Sequence, residues 1–107
     1  MPDAARILIV DDEQSLREFL EIFLHKEGFE VTTAEGGQEA VDLLDADTEF
    51  DLVLTDLMMP EKDGFETIHE LRKSYPDVKI IAITALAYDA FDAAEELGAN
   101  ATFEKPI

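Results

Sequence analysis

The chain has 107 residues, enough for one ordinary domain with one hydrophobic core. Its 47% apolar content argues against disorder, and its net charge of −18 argues against binding nucleic-acid phosphates or an anionic membrane surface. Cysteine is absent, which excludes disulfides, thiol catalysis and thiolate metal sites. No apolar run nears the ~18 residues of a membrane span, and Met1-Pro2-Asp3 begins no visible secretory signal. These features predict a soluble, cytoplasmic domain.

Two periodicities alternate along the chain. Ile7-Leu8-Ile9-Val10 is a continuous apolar run, which predicts a strand buried on both faces. Leu16, Phe19, Leu20, Phe23 and Leu24 fall at i, i+3, i+4, i+7 and i+8, one face of an amphipathic helix. Gly28 after His25-Lys26-Glu27 predicts its stop, with cations in the last turn. Phe29-Glu30-Val31 alternates as a half-covered or edge strand does. Gly36-Gly37 marks a turn, and Ala40, Val41, Leu43 and Leu44 stripe a second helix. Leu52-Val53-Leu54, entered from a polar loop around Thr48, predicts a third strand. Met58 to Gly64 reads as a loop holding Pro60 and the Asp63-Gly64 pair. Phe65, Ile68 and Leu71 stripe a third helix, ended by Pro76. Val78 and Ile80 to Ile83 predict a fourth buried strand. Ala90, Ala93, Ala94 and Leu97 mark a fourth helix stopped by Gly98, and Ala101-Thr102-Phe103 a fifth short strand.

The order is (βα)4β in one domain over 1–107. It is of the α/β class, with a parallel sheet, right-handed crossovers and helices on both faces. A doubly wound sheet of this size normally carries a closing helix. The chain as given stops at Ile107. The C-terminal helix is therefore expected to be missing from it, leaving apolar sheet on the helix-1 face open or met by a partner.

In an open parallel sheet, functional groups gather beyond the carboxyl ends of the strands. Asp11, Asp12 and Glu13 follow the first strand, Thr55 and Asp56 the third, Thr84 and Ala85 the fourth, and Glu104 and Lys105 the fifth. Clustered carboxylates raise one another's pKa unless a cation neutralises them. A hard divalent cation such as Mg²⁺ suits such oxygen ligands. A carboxylate can also act as a nucleophile and form an aspartyl phosphate, whose oxygens a Thr and a Lys can bond. Each residue alone has a plainer reading. The acids could open a helix, Thr84 could be an ordinary strand residue, and Lys105 an ordinary surface cation. Together, at successive strand ends, they form one chemistry. Met58 and Met59 read as packing and loop residues, because thioethers suit soft metals. His25 and His69 read as solvated surface residues, and the Asp89, Asp92, Glu95, Glu96 series as a solvated helix face.

The sequence resembles the receiver domain of two-component response regulators. The matching residues are Asp11-Asp12-Glu13, Asp56, Met58-Met59-Pro60, Asp63-Gly64, Thr84-Ala85, Gly98-Ala99 and Lys105-Pro106. Spacings of 44, 28 and 21 residues separate Asp12, Asp56, Thr84 and Lys105. The resemblance implies a flavodoxin-like, chemotaxis-regulator-like fold with strand order 2-1-3-4-5. It implies Asp56 as the phosphoacceptor and Mg²⁺ as cofactor. Asp12, Asp56 and the backbone carbonyl of Met58 are then direct metal ligands, with Asp11 acting through water. It implies Thr84 as the switch hydroxyl that moves toward the phosphoryl group, with Ala85 beside it, Lys105 as the ion-pair partner of that phosphoryl group, and a cis peptide before Pro106. The implied function is a phosphorelay switch, not an enzyme of metabolites, that catalyses only its own phosphorylation and dephosphorylation. The donor is a sensor histidine kinase or phosphotransfer protein, a receiver homodimer is a further implied association, and helix 4 and strand 5 carry the output.

Two departures from the family pattern carry expectations. The aromatic common three residues before the Lys is replaced by Thr102, with Phe103 one later, on the opposite face by strand alternation. Output is thus expected to use the loop after Thr84 and helix 4, without that aromatic. Met58 and Leu86 put apolar bulk beside the path of hydrolytic water, which is expected to lengthen the life of the aspartyl phosphate. Three rivals fit less well. A haloacid-dehalogenase-type phosphohydrolase carries D-x-D and a cap, whereas Asp11-Asp12 are adjacent and no residues are spare. A pseudo-receiver lacks part of the acidic pocket, which is intact here. A flavin-binding domain needs a Ser/Thr-rich phosphate loop after the first strand.

Overall fold

The computed structural model describes residues 4–46, 49–85 and 88–105, with backbone alone over 88–91. Five strands and four helices alternate: β1 (Arg6–Val10), α1 (Gln14–Lys26), β2 (Glu30–Ala34), α2 (Gly37–Ala46), β3 (Leu52–Asp56), α3 (Gly64–Ser74), β4 (Lys79–Thr84), α4 (Tyr88–Leu97) and β5 (Ala101–Glu104). The strands form one parallel sheet in the order β2-β1-β3-β4-β5. This is the predicted order, with the chain reversing direction of travel between β1 and β3.

Strand alternation builds two cores. Ile7 and Ile9 pack with Leu20 under α1, joined by Leu16, Leu24, Leu52 and Leu54. Leu8, Val10, Val53, Ile80 and Ala82 point the other way, against Leu44, Ile68, Leu71 and Ala94 of α2, α3 and α4. Burying each of the Val, Leu and Ile side chains among them stabilises by about 1.5–3 kcal/mol. Helix α1 stops at Gly28 as the sequence predicts, whereas α3 begins at Gly64, inside the segment read as a loop. Glu27 caps α1 beside the left-handed Gly28, and Asp63 caps α3 by accepting the Glu66 N–H at 2.9 Å.

β2 runs further than the predicted alternation, to Ala34, because its Thr32 and Thr33 pair with Leu8 and Ile9 of the central strand. The face beside α1 is only half covered. Phe19, Phe23, Leu54, Ile81, Ile83 and Phe103 line an open apolar groove of about 410 Å³ there. Phe103 is 54% exposed on this face, while Thr102, paired with Ala82, faces the α4 side, as alternation predicts. Among the described residues, no helix is long and apolar enough to cross a membrane.

Candidate functional site

Three strand ends converge. The Asp11 N–H donates to Ala34 O at 3.1 Å, continuing the β1–β2 ladder by one residue. Strand geometry therefore carries the Asp11 side chain inward, and it is fully buried. Its Oδ1 accepts the Glu13 N–H at 2.8 Å and so turns the chain into α1. Asp12 stands on the exposed rim of the same turn. Asp56, the last residue of β3, is only 4% exposed. Its Oδ1 accepts the Met58 N–H at 3.2 Å, and its Oδ2 accepts from Lys105 Nζ at 3.2 Å.

Lys105 follows β5 directly, and its N–H donates to Thr84 O at 2.8 Å. That bond fixes the root of the side chain at the site. Nζ then lies 3.0 Å from Asp11 Oδ2, 3.2 Å from Asp56 Oδ2 and 3.8 Å from Glu13 Oε1. Thr84 is buried at the end of β4, and Ala85 is exposed beyond it. The Met58 side chain is exposed beside Asp56. Asp11, Asp12, Asp56 and Lys105 thus meet at one edge, with Thr84 tied in through the Lys105 backbone. Leu86 and Pro106, and with the latter the expected cis peptide, lie outside the described residues.

Burial pushes the Asp56 carboxyl above its ordinary value, and the Asp11 charge adds to this; the Met58 N–H and Lys105 oppose it. For Lys105, burial acts downward but bonds to Asp11 and Asp56 outweigh it, so its pKa rises. A raised lysine pKa stabilises the fold fully below the unfolded value of 10.5, and that stability is lost as pH climbs through the folded pKa. We therefore expect Lys105→Met to lower unfolding free energy by about 1–3 kcal/mol at pH 7, because two buried carboxylates lose their counter-charge. The deficit relative to wild type should vanish above the folded lysine pKa. Urea unfolding across pH checks this; a deficit that persists unchanged there would contradict it.

Asp11, Asp12 and Asp56 each offer an oxygen, all within 4.8 Å of one another. Asp11 Oδ2 is buried, and its one close partner among the described residues is the Lys105 ammonium at 3.0 Å, at an angle poor for a hydrogen bond. Three carboxylates thus face one close ammonium. The donors are all hard oxygens, so the set fits a small divalent cation such as Mg²⁺.

The sequence reading marks Glu13 and Gly64 as motif residues without giving either a role, and it does not mark Arg17 at all. Glu13 reaches towards Lys105. Gly64 presses on the end of β3: a Cβ there would lie 2.2 Å from Asp56 O and 2.6 Å from Leu57 Cα. Arg17 Nη1 donates to the Asp11 carbonyl at 2.7 Å. Arg17 is the one cation between Asp11 and Leu24, and that isolation is the only signal the sequence offers for it.

Known proteins resemble this chain in sequence and fold. Residues 7–107 match the family described as response regulator receiver domain. A response regulator receiver protein of Anaeromyxobacter sp. is 45% identical over 103 residues, covering 95% of this chain and 43% of that protein. The chain therefore spans less than half the length of this curated relative. The response regulator TrrA of Thermotoga maritima, crystallised in complex with Mg(2+)-BeF, is 39% identical, with a TM-score of 0.87 over 96% of this chain and 88% of its own. A response regulator of Burkholderia pseudomallei, crystallised with a phosphorylated aspartic acid and a calcium ion, is 28% identical, with a TM-score of 0.89 over 96% of this chain and 61% of its own. Sheet order, strand-end carboxylates and these likenesses agree, and the chain belongs to the response regulator receiver domain family of two-component signalling.

Proposed function

We propose that this domain is a Mg²⁺-dependent phosphoacceptor switch whose acceptor is Asp56 and whose donor is a phosphohistidine on a sensor kinase or phosphotransfer protein. The observation that carries this reading is a nearly buried carboxylate at the end of a central strand, with two further carboxylates and one ammonium around it.

An Asp56 oxygen attacks phosphorus. The P–O bond forms as the P–N bond breaks, and the electron pair leaves on the imidazole, so no redox partner is needed. Burial strips water from the carboxylate. Lys105, already 3.2 Å away, exchanges Asp56 Oδ2 for a phosphoryl oxygen with little movement. The Met58 N–H keeps the attacking group oriented. Asp12, Asp56 and the Met58 carbonyl would hold the cation, with Asp11 acting through water. When bound, Mg²⁺ supplies positive charge to the transferring oxygens.

The Thr84 hydroxyl then turns towards the new phosphoryl group. Because Thr84 O is bonded to the Lys105 N–H, movement at one strand end reaches the other. The α4–β5 face carries the output, and the added charge biases a two-state equilibrium. Thr102 in place of an aromatic leaves the loop after Thr84 and α4 as the moving parts. Turnover is limited to the domain's own phosphorylation and dephosphorylation, in the cytoplasm, within one domain over 1–107.

Intact-mass measurement after incubation with acetyl phosphate tests the reading. One phosphoryl group should add in the presence of Mg²⁺ and none when EDTA removes it. Folded protein that takes no phosphoryl group with Mg²⁺ present would sink the proposal.

A further inference from the structure

Arg17 lies on α1, yet its guanidinium folds back over the helix's first turn. Nη1 donates to the backbone carbonyl of Asp11 at 2.7 Å, and Nη2 contacts Glu35 Oε1 at 3.5 Å. The side chain is only 12% exposed, whereas Glu35 is solvated. The short bond to a carbonyl is thus the significant one, and the contact with Glu35 is a weak surface pair. The Arg17 N–H also bonds Glu13 O at 3.1 Å. That backbone bond is the ordinary first turn of α1; what is particular to Arg17 is the side chain, which reaches back to the carbonyl that begins the turn.

The turn from Asp11 to Glu13 is also held from the inner side, by the Asp11 N–H on Ala34 O and by Lys105 beside Asp11 and Glu13, but Arg17 alone is seen to bond the Asp11 carbonyl among the described residues. Glu13 provides no side-chain cap for α1, and α1 has no acid in its first turn. Asp11 Oδ1 satisfies the Glu13 N–H from inside the turn. Arg17 fixes the outward carbonyl of Asp11 and with it the peptide plane joining Asp11 to Asp12. The orientation of that plane decides where the exposed Asp12 carboxylate points relative to Asp11 and Asp56.

The geometry points to Arg17 as a positioning residue that locks the Asp11–Asp12 peptide and so aims the Asp12 carboxylate at the bound cation. This rests on the reading of the acidic cluster as a Mg²⁺ site. Its sign distinguishes it from simple charge effects. A cation beside a cation site repels the ligand, so loss of the Arg17 charge alone would tighten Mg²⁺ binding. Loss of the lock loosens it. Outer-shell partners of metal ligands typically contribute 10–100-fold in affinity.

The test is Mg²⁺ affinity by calorimetry on the full chain, with unfolding temperature measured alongside. Arg17→Met should weaken Mg²⁺ binding by roughly tenfold, and Arg17→Lys, which keeps the charge and one donor, should recover most of it. Unchanged or tighter binding by folded Arg17→Met would overturn the proposal. So would equal losses in the Met and Lys variants. Should Arg17→Met fail to fold, the Arg17 Nη–H resonances of the wild type decide: slow exchange and a shift on adding Mg²⁺ support the lock, and rapidly averaging signals overturn it. Absence of Mg²⁺ binding by the wild type would instead overturn the reading of the site itself, and the two failures are thereby separate.

Discussion

Asp56→Asn is expected to abolish phosphoryl acceptance while making the cation-free protein more stable, by about 1 kcal/mol. The loss follows because a carboxamide is not a nucleophile towards phosphorus. The gain follows from the electrostatics. Asp56 is nearly buried, and its raised pKa means that the folded protein holds its proton more tightly than the unfolded chain does. Between the unfolded value of 3.8 and the folded value, the native state binds more protons, so stability falls as pH rises through that window. Above the folded pKa the penalty is complete. Asn removes the charge yet keeps an oxygen for the Met58 N–H, and Lys105 retains Asp11 at 3.0 Å. Mg²⁺ should reverse the ranking. Wild type gains stability with rising Mg²⁺ by mass action, and the Asn variant gains less for want of one ligand charge. Urea unfolding in EDTA and in Mg²⁺ reads both halves. An Asn variant less stable than wild type in EDTA would contradict this electrostatic account.

Gly64→Ala is expected to cost about 3 kcal/mol, at the upper end of what overpacking a close-packed site usually costs. The obstruction is backbone, not a movable side chain. The new Cβ would stand 2.2 Å from Asp56 O, 2.6 Å from Leu57 Cα and 2.9 Å from Asp56 C. Relief requires α3 to retreat from the end of β3, which strains the bond from the Gly64 N–H to Leu57 O, now 3.0 Å. The atoms crowded by the new Cβ belong to Asp56 and Leu57, so any part of the strain taken up by β3 shifts Asp56, and Mg²⁺ affinity should fall together with stability. Gly36→Ala is the control. A Cβ there meets nothing within 4 Å, and its effect should stay within about 0.5 kcal/mol. A Gly64→Ala protein as stable as wild type would contradict the close approach.

The readable parts of this fold are those where one physical cause dominates. Ile7 to Val10 is a continuous apolar run because both faces of this central parallel strand are covered, and Ile80 to Ile83 is another, although Ile81 faces the open groove beside α1. The rule that groups gather beyond strand carboxyl ends then brings Asp11, Asp56 and Lys105 together without any knowledge of side-chain contacts. Legibility fails where tertiary context decides. Thr32 and Thr33 give no apolar signal, yet β2 includes them because β1 supplies the pairing partner. The acids at 11 to 13 also admit a plainer reading as helix openers, which the structure does not follow: Asp11 turns inward as the last rung of a sheet ladder, and Glu13 leaves α1 without a side-chain cap. Gly64 reads as half of a turn pair, whereas its lack of a Cβ serves the approach of α3 to Asp56. Arg17 has no mark in the sequence beyond its isolation, because a side chain that folds back onto a carbonyl six residues earlier follows no short-range pattern.

The central claim is that Asp56, among 26 acidic residues, is the one that accepts the phosphoryl group. Borohydride reduces an acyl phosphate to an alcohol, so an aspartyl phosphate becomes homoserine at the position that carried it. Protein treated with acetyl phosphate and Mg²⁺, reduced and sequenced by mass spectrometry, should contain homoserine in place of Asp56 and at no other position. Homoserine at Asp11 or Asp12 with Asp56 intact would contradict the account.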